Sequence, residues 1–212
     1  MRYLRACAIC QTYSPPCDWL CSFCWKTVER EYLYSENCYR IEKKLPHLRL
    51  FDWHEDNHHI IQTLIQSLKQ GGPNFIFKRM GLEMFSRFVY LNLWNKQTCP
   101  VFIPVPSSQE NKFDHAFLLA QALSFYFGGD FENPLKKIKP SSFQKRKTKK
   151  QRIQIEIESE KAFPDHKTIV LVDDVLTTGA TARACWRALN QAKNFFIFTL
   201  AWKKKKEDLI EN

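Results

Sequence analysis

The stretch Thr168-Ile-Val-Leu-Val-Asp-Asp-Val-Leu-Thr-Thr-Gly-Ala-Thr181 decides the fold of this chain. Its first part, Ile169 to Val172, is a short run of branched apolar residues, which predicts a strand buried on both faces of a parallel sheet. Asp173 and Asp174 follow at the carboxyl end of this strand. Because ligands of open α/β sheets bind at that edge, we expect the two carboxylates to face a ligand.

The loop from Leu176 to Thr181 has the features of a phosphate site. It offers three threonine hydroxyls, a glycine and the N–H groups that begin a predicted helix from Ala180 to about Ala192. Unpaired N–H groups and the helix dipole favour an anion there. The loop has no Walker lysine and the chain has no G-x-G-x-x-G. One phosphate beside two acids that hold sugar hydroxyls and Mg²⁺ suits a phosphorylated pentose. The alternative is that the acids only cap the helix.

The segment Val172 to Thr181 resembles the phosphoribosyl pyrophosphate (PRPP) loop of type I phosphoribosyltransferases. The hydrophobic strand, the acid pair and Thr-Thr-Gly-x-Thr all match. The resemblance implies an α/β fold with a parallel sheet, PRPP as ligand or substrate, and Mg²⁺ as cofactor. It implies that Asp173 and Asp174 are the catalytic acids at the ribose hydroxyls. It also implies that the remaining loop residues bind PRPP: Val175, Leu176, Thr177, Thr178, Gly179, Ala180 and Thr181.

The length and the net charge of the chain limit the classes of protein to which it can belong. The 212 residues suffice for one α/β domain and a small appendage. No apolar run is long enough to cross a bilayer, and no signal-peptide core follows the first residues, so we predict an intracellular protein that is not an integral membrane protein. The net charge of +10 indicates a polyanionic partner, either nucleic acid or an acidic membrane surface. A generally basic proteome is the alternative.

Two CxxC pairs near the N-terminus predict a small metal-binding ribbon. Four thiolates at this spacing fill the tetrahedral shell of structural zinc, and the ligands are Cys7, Cys10, Cys21 and Cys24. A redox role is the weaker interpretation, because no thioredoxin-like βαβ unit surrounds either pair. Cys17 lies between the pairs and is an alternative ligand. We expect metal binding to supply the folding free energy of this small segment.

The predicted domain boundary lies between residues 47 and 48. Residues 1–47 form the ribbon and an irregular connector, with a weak helical period around Thr27 to Tyr34, and residues 48–212 form the phosphoribosyltransferase-like domain. Leu48 to Trp53 is predicted as a strand. The following His54, His58 and His59 are interpreted as surface or capping residues rather than metal ligands.

Hydrophobic periodicity predicts the remaining elements. An amphipathic helix ends at Lys69 before Gly71, Gly72 and Pro73. Buried strands are predicted at Cys99 to Pro106 and at Asn194 to Trp202, and the first of them carries the loop from Pro104 to Lys112 to the edge of the acid pair. Further helices are predicted over Asn74 to Leu93 and Ala116 to Phe127, the latter closed by Gly128 and Gly129.

The strongest charge run lies between Leu135 and Arg152, with Phe143 among the basic residues. It is either a solvated loop, a hood that contacts phosphate, or a track for single-stranded DNA, in which aromatic residues stack on bases. A second basic tract follows the last strand at Lys203 to Lys206. The candidate nucleic-acid ligands are Lys145, Arg146, Lys147, Lys149, Lys150 and Arg152.

The order of these motifs is similar to that of the ComF family of competence proteins. The four-cysteine ribbon, the helix ending in Lys69-x-Gly71, the Ile103-Pro-Val-Pro106 loop, and Thr148 with Gln151 all match that family. The resemblance implies a role in natural transformation, with single-stranded DNA handled in the cytoplasm, peripherally at the inner face of the membrane, beside DNA-transport or DNA-processing proteins. It also implies that Lys69 binds PRPP. The chain departs from the family at Lys112-Phe-Asp-His115, where Arg-Gly-Phe-Asn is usual, which argues against tight pyrophosphate contacts.

The sequence therefore leaves two classes of function open. One is a DNA-handling protein that binds PRPP with Mg²⁺, and we favour it. The alternative is an active phosphoribosyltransferase that transfers phosphoribose from PRPP to an acceptor that no motif in the chain identifies.

Overall fold

Parallel strands form the centre of the molecule. The structure, a computed structural model, describes residues 5–7, 9–10, 12–14, 20–34, 39–41, 45–54, 58–69, 82, 86, 99–107, 114–138 and 156–203. In these residues the strands are, in chain order, β1 (Arg5–Ala6), β2 (Tyr13–Ser14), β3 (Tyr39–Ile41), β4 (Leu45–Trp53), β5 (Val101–Pro104), β6 (Asp130–Phe131), β7 (Leu135–Lys137), β8 (Ile157–Ser159), β9 (Ile169–Leu176) and β10 (Phe195–Lys203).

The main sheet has the order β3-β4-β10-β9-β5-β6. Strands β4, β10, β9, β5 and β6 are parallel, and the edge strand β3 is antiparallel to β4. Two short antiparallel pairs, β1 with β2 and β7 with β8, lie outside it. Since β9 lies between β10 and β5, the acid pair is on a central strand of the sheet rather than on an outer strand. The predicted α/β class with a parallel sheet is confirmed.

The described helices are α1 (Ser22–Tyr34), α2 (His58–Lys69), α3 (His115–Phe127) and α4 (Ala180–Ala188). Helix α3 begins where the Asp114 carboxylate accepts a hydrogen bond from the Phe117 N–H at 3.0 Å, and it ends at Gly128 with a φ of 66°. A side chain at Gly129 would lie 2.5 Å from the Pro100 carbonyl oxygen, so only glycine fits where the chain returns to the sheet. The predicted stop at this glycine pair is confirmed.

The two faces of the sheet carry different layers. Val170 and Val172 point into a core with residues of α1, α2 and α3, whereas Ile169 and Leu171 point into a core with α4. All four side chains are buried, as the apolar run predicts for a strand covered on both faces.

Several predicted elements differ in extent, and the strand predicted at Cys99 to Pro106 is the shorter β5, Val101–Pro104. Strand β9 continues through the acid pair to Leu176 rather than ending before it. Helix α4 ends at Ala188 instead of near Ala192, because Asn190 and Gln191 have φ values of 55° and 54°, in the left-handed region. Strand β4 begins at Leu45 rather than Leu48.

The predicted irregular connector over residues 25–47 is wrong where the structure describes it. Those residues contain most of α1, the strand β3 and the start of β4. The weak helical period predicted a helix shorter than α1. Packing of Val28 on the core stabilises α1, whose own amphipathic pattern is weak. The division into domains at residue 47 stays a prediction, although β4 runs across it.

Some predictions fall outside the described residues. They include the helix over Asn74 to Leu93, of which only Leu82 and Ser86 are described, both helical. Among the described helices none combines the length and the apolar character needed to span a membrane.

Candidate functional site

The acid pair and the loop after β5 meet at one edge of the sheet. Asp173 pairs with Thr199 of β10. On the other side, the Val105 N–H donates to the Val172 carbonyl oxygen at 2.8 Å, so the chain leaving β5 passes directly beside the acids. The prediction that the Pro104 loop shares the edge of the acid pair is confirmed as far as Ser107, the last residue described there.

Each carboxylate of the pair accepts a hydrogen bond from the next backbone N–H. Asp173 Oδ1 accepts from the Asp174 N–H at 2.8 Å, and Asp174 Oδ1 accepts from the Val175 N–H at 2.7 Å. These bonds fix the orientation of both side chains. Carboxylates are hydrogen-bond acceptors for hydroxyls and oxygen ligands for hydrated cations, which is the chemistry that a ribose and Mg²⁺ require.

The acids do not cap α4. The N-cap residue is Gly179, whose φ of 69° lies in the left-handed region, and no side chain caps the helix. The alternative that Asp173 and Asp174 are merely helix caps is therefore wrong. Thr177 and Thr178 are exposed, and Thr178 Oγ1 accepts a bond from the Ala180 N–H at 3.4 Å. The loop thus presents hydroxyls and first-turn N–H groups beside two acids, which is the donor set that a phosphate requires.

Charges converge on the first turns of α4. Burial, and after it the Asp173 carboxylate, raises the pKa of the Cys185 thiol to about 12, while the Lys137 ammonium acts in the opposite direction. The Cys185 thiol is therefore close enough to the Asp173 carboxylate and to the half-buried Lys137 ammonium for both charges to affect its pKa. The β7–β8 hairpin, whose Leu135 packs in the same core as Cys185, holds Lys137 on the α4 side of the sheet.

Other predicted ligand residues are not placed at this edge by the structure. Lys69 is the last residue of α2, and its side chain lies outside the described residues. The predicted nucleic-acid ligands also lie outside the described residues: Lys145, Arg146, Lys147, Lys149, Lys150 and Arg152. Of the second basic tract only Lys203 is described; its ammonium lies 4.8 Å from the centroid of the Trp53 ring.

The four predicted metal ligands form one cluster. The sulfur atoms of Cys7, Cys10, Cys21 and Cys24 all lie within 4.8 Å of one another. A tetrahedral zinc with Zn–S bonds of about 2.3 Å separates its sulfurs by ~3.8 Å, and the Cys10 and Cys21 sulfurs are 3.6 Å apart. The described thiols are all free rather than disulfide-bonded. The set fits Zn²⁺, and Cys17 lies outside the described residues.

The cluster is asymmetric in exposure. Cys7 and Cys24 are buried in the core that also contains Leu48 and Phe198, whereas Cys10 is exposed. The hydrogen bond from the Thr12 side chain lowers the pKa of Cys10 to about 6, which favours the thiolate that a metal needs. Burial raises the pKa of Cys24, so a bound cation is what would hold that thiolate.

A buried polar group beside the acid edge was not found from the sequence. Among the described residues, His47, Arg49 and Thr199 are the buried polar side chains. His47 Nε2 is 2.7 Å from Thr199 Oγ1, and Thr199 is the neighbour of Asp173 in the sheet. The signal in the sequence was an arginine inside the apolar run Leu48-Arg-Leu-Phe, which is rare unless the charge is paired.

Comparison with known proteins finds a family match within the α/β fold. Residues 114–208 match the family model described as "Phosphoribosyl transferase domain", a range that spans α3, β9, the loop and β10. No curated protein matches the chain. Among solved structures, the chain is similar to adenine phosphoribosyltransferase from Leishmania donovani, with 12% identity over 80% of this chain and 89% of that one and a TM-score of 0.43. The acid pair and the loop therefore lie in the part of the α/β fold that matches a phosphoribosyltransferase domain model, and the four-cysteine cluster precedes that part in the chain.

Proposed function

We propose that residues 173–181 bind PRPP together with Mg²⁺. The observation that carries this proposal is the direct passage from the acid pair of β9 into a loop that ends at a left-handed Gly179 and the N-terminus of α4. The loop hydroxyls and N–H groups would take the 5-phosphate. Asp173 and Asp174 would accept the ribose hydroxyls and hold Mg²⁺ directly or through water, and bound Mg²⁺ would neutralise phosphate charge.

Isothermal titration tests this proposal. PRPP should bind in the presence of Mg²⁺, and removal of the cation with EDTA should weaken binding strongly. Ribose 5-phosphate should bind more weakly than PRPP but still compete, because it carries the phosphate and hydroxyls without the pyrophosphate. PRPP binding that is indifferent to Mg²⁺ would contradict the assigned role of the acids.

We further propose that this pocket serves a protein of the ComF type, which handles single-stranded DNA in natural transformation. The basic segments Lys145 to Arg152 and Lys203 to Lys206 support this role, as does the resemblance in motif order. Sequence-tolerant single-strand binders combine such cations with aromatic residues. A cytoplasmic location, peripheral at the inner face of the membrane beside DNA-transport or DNA-processing proteins, follows from this role.

Fluorescence anisotropy with a labelled oligonucleotide tests DNA handling. The logarithm of affinity should fall with the logarithm of salt with a slope of about −0.7 per phosphate contact on single strands. Charge reversal at Lys147, Lys149 and Lys150 should flatten that slope. No binding at low salt would refute a direct DNA role and leave PRPP binding untouched; if the lysine variants lose PRPP instead, the segment is a hood over the pocket.

The alternative is catalysis. In that case the bond from the ribose C1 to pyrophosphate breaks and a bond from C1 to an acceptor forms, while preorganised groups stabilise the oxocarbenium-like ribose. The departure from the family pattern has a structural explanation, because Asp114 is the N-cap of α3. A carboxylate fixed there, on the chain leaving β5, does not favour pyrophosphate. An assay for pyrophosphate release, with and without DNA, distinguishes turnover from binding alone.

We also propose that the four-cysteine cluster binds one structural zinc. The support is the fit of its sulfur positions to one tetrahedral shell.

A further inference from the structure

Arg49 is a charged side chain inside the core. Its side chain has 0% exposure, and its Nε donates to Asp52 Oδ1, which is 20% exposed. Its guanidinium carbon lies 4.8 Å from the centroid of the Trp202 ring. A buried charge is unfavourable unless it is paired, and hydrophobic residues of similar volume often replace such pairs without loss of stability. The presence of this arginine is therefore not explained by stability alone.

The sheet register connects Arg49 to the strand of the proposed PRPP site through β10. Thr199 is paired with Arg49 on one side and with Asp173 on the other. Trp202 is paired with Asp52 on one side and with Leu176 on the other. Arg49 and Asp52 are thus separated by one strand, β10, from Asp173 and from Leu176, the first residue of the loop.

Trp202 lies between the arginine and the loop. Its ring packs on the core that contains Leu176, Ala182 and Cys185, which is the layer formed with α4. The edge of the His47 ring also contacts it, with 5.9 Å between ring centroids and 82° between ring planes. Two contacts, one from a planar cation and one from a buried imidazole, therefore hold the Trp202 ring, and the backbone of this residue is paired with Leu176 at the base of the loop.

We propose that Arg49 is a positioning residue for the phosphate loop, which it holds through Trp202. This inference rests on the proposed PRPP site. The N-cap Gly179 has no side-chain hydrogen bond, two of the three loop threonines are exposed, and the bond from the Ala180 N–H to Thr178 Oγ1 is long at 3.4 Å, so the contacts of the loop itself order it weakly. Support from the β10 side would keep the N–H groups and hydroxyls in the arrangement that a phosphate needs before it binds. A preorganised loop binds more tightly because less conformational entropy is lost on binding.

The test uses the full chain and three variants. Arg49→Lys keeps the charge but removes the planar fork that stacks on the ring and bonds to the carboxylate. Trp202→Phe keeps an aromatic ring but shortens the contact. Each single variant should weaken Mg²⁺-dependent PRPP binding by about tenfold, equivalent to ~1.4 kcal/mol. The double variant should be no weaker than the weaker single variant, because both remove one coupled contact.

Phe198→Leu is the matched control. Phe198 is fully buried in β10 but belongs to the core on the opposite face of the sheet. This variant should lower the melting temperature and leave the PRPP dissociation constant of the folded protein unchanged. All affinities are measured at least ~15 °C below the melting temperature of each variant, so that the folded protein is compared in every case.

The outcomes separate this inference from the function on which it rests. A parent protein that does not bind PRPP refutes both. If the parent binds and Arg49→Lys binds equally well, the positioning role is refuted and the site stands. The positioning role is also refuted if the losses in the double variant simply add, or if Phe198→Leu loses as much affinity as Arg49→Lys.

Discussion

The four-cysteine cluster and the acid edge of the sheet are assembled in different ways. The ligands of the cluster come from two CxxC pairs within eighteen residues, Cys7 to Cys24, and their sulfurs converge locally. The acid edge joins residues that are far apart in the chain, since Thr199 lies between Arg49 and Asp173 through strand pairing alone. Local spacing is thus sufficient for the first site, whereas the second exists only when the whole sheet has formed.

The two sites nevertheless share one core. Cys7 and Cys24 pack in the same buried cluster as Val172, the residue directly before the acid pair, and as Phe198 of β10. Two of the four cysteines are therefore part of the same buried core as the central strands of the sheet. Changes at the cluster should reach the acid edge through stability, whereas changes at the edge should leave the cluster intact.

The largest expected effect is that of metal removal. Purified protein should contain about one zinc per chain, and a strong chelator should remove a structural contribution on the order of 10 kcal/mol, unfolding α1 and weakening the α/β core. Elemental analysis and circular dichroism melts measure this. Cys24→Ser should behave like chelation. Cys99→Ser, an exposed thiol outside the cluster, is the control and should be neutral. Freshly purified, unchelated protein without zinc would contradict the metal site.

A smaller effect is expected at the loop. Thr178→Val removes one hydroxyl from the proposed phosphate site and should weaken PRPP binding by about 1.5–3 kcal/mol, the usual range for a hydrogen bond to a charged group. Thr27→Val on α1 removes a hydroxyl that donates to the Phe23 carbonyl oxygen of the same helix, and it should leave affinity unchanged. Titration calorimetry compares the two, and equal affinities would show that Thr178 does not contact the ligand.

A further prediction compares the folding stability of the protein at neutral and at acidic pH. Burial first, and then the Arg49 charge, lowers the pKa of His47 to about 3, against roughly 6.5 in the unfolded chain. The unfolded state therefore binds the extra proton below pH 6.5, and stability falls as the pH drops from that value towards 3. The loss from His47 should reach about 2 kcal/mol at pH 5. Urea unfolding at pH 7 and pH 5 should show this loss in the parent.

The control for this effect is a pair of histidine variants. His47→Asn should lose less stability between pH 7 and pH 5 than the parent does, because the titrating group is gone. His59→Asn, at an exposed histidine of α2, should keep the dependence of the parent. An identical pH dependence in the parent and in His47→Asn would show that His47 does not titrate in this way.

Sequence patterns were sufficient for the elements with strong local signals. The apolar run into Asp173 and Asp174 gave the central strand, and Gly128 gave the end of α3. Patterns failed where long-range packing decides, as in α1, which is helical from Ser22 because it covers the core. The polar group around Arg49 could not be predicted, because its partners Thr199 and Trp202 are about 150 residues away and meet it only through the register of β4 and β10.

The most direct test of the central claim is a PRPP titration of three proteins in the presence of Mg²⁺: the parent, the variant Asp173→Ala with Asp174→Ala, and Asp165→Ala. Asp165 is an exposed acid that precedes β9, at the opposite end of the strand, and it pairs with Lys193 at 2.7 Å. The parent and Asp165→Ala should bind PRPP with the same affinity, and the double variant should lose Mg²⁺-dependent binding. Equal affinity in all three proteins would contradict the assignment of this edge as the PRPP site.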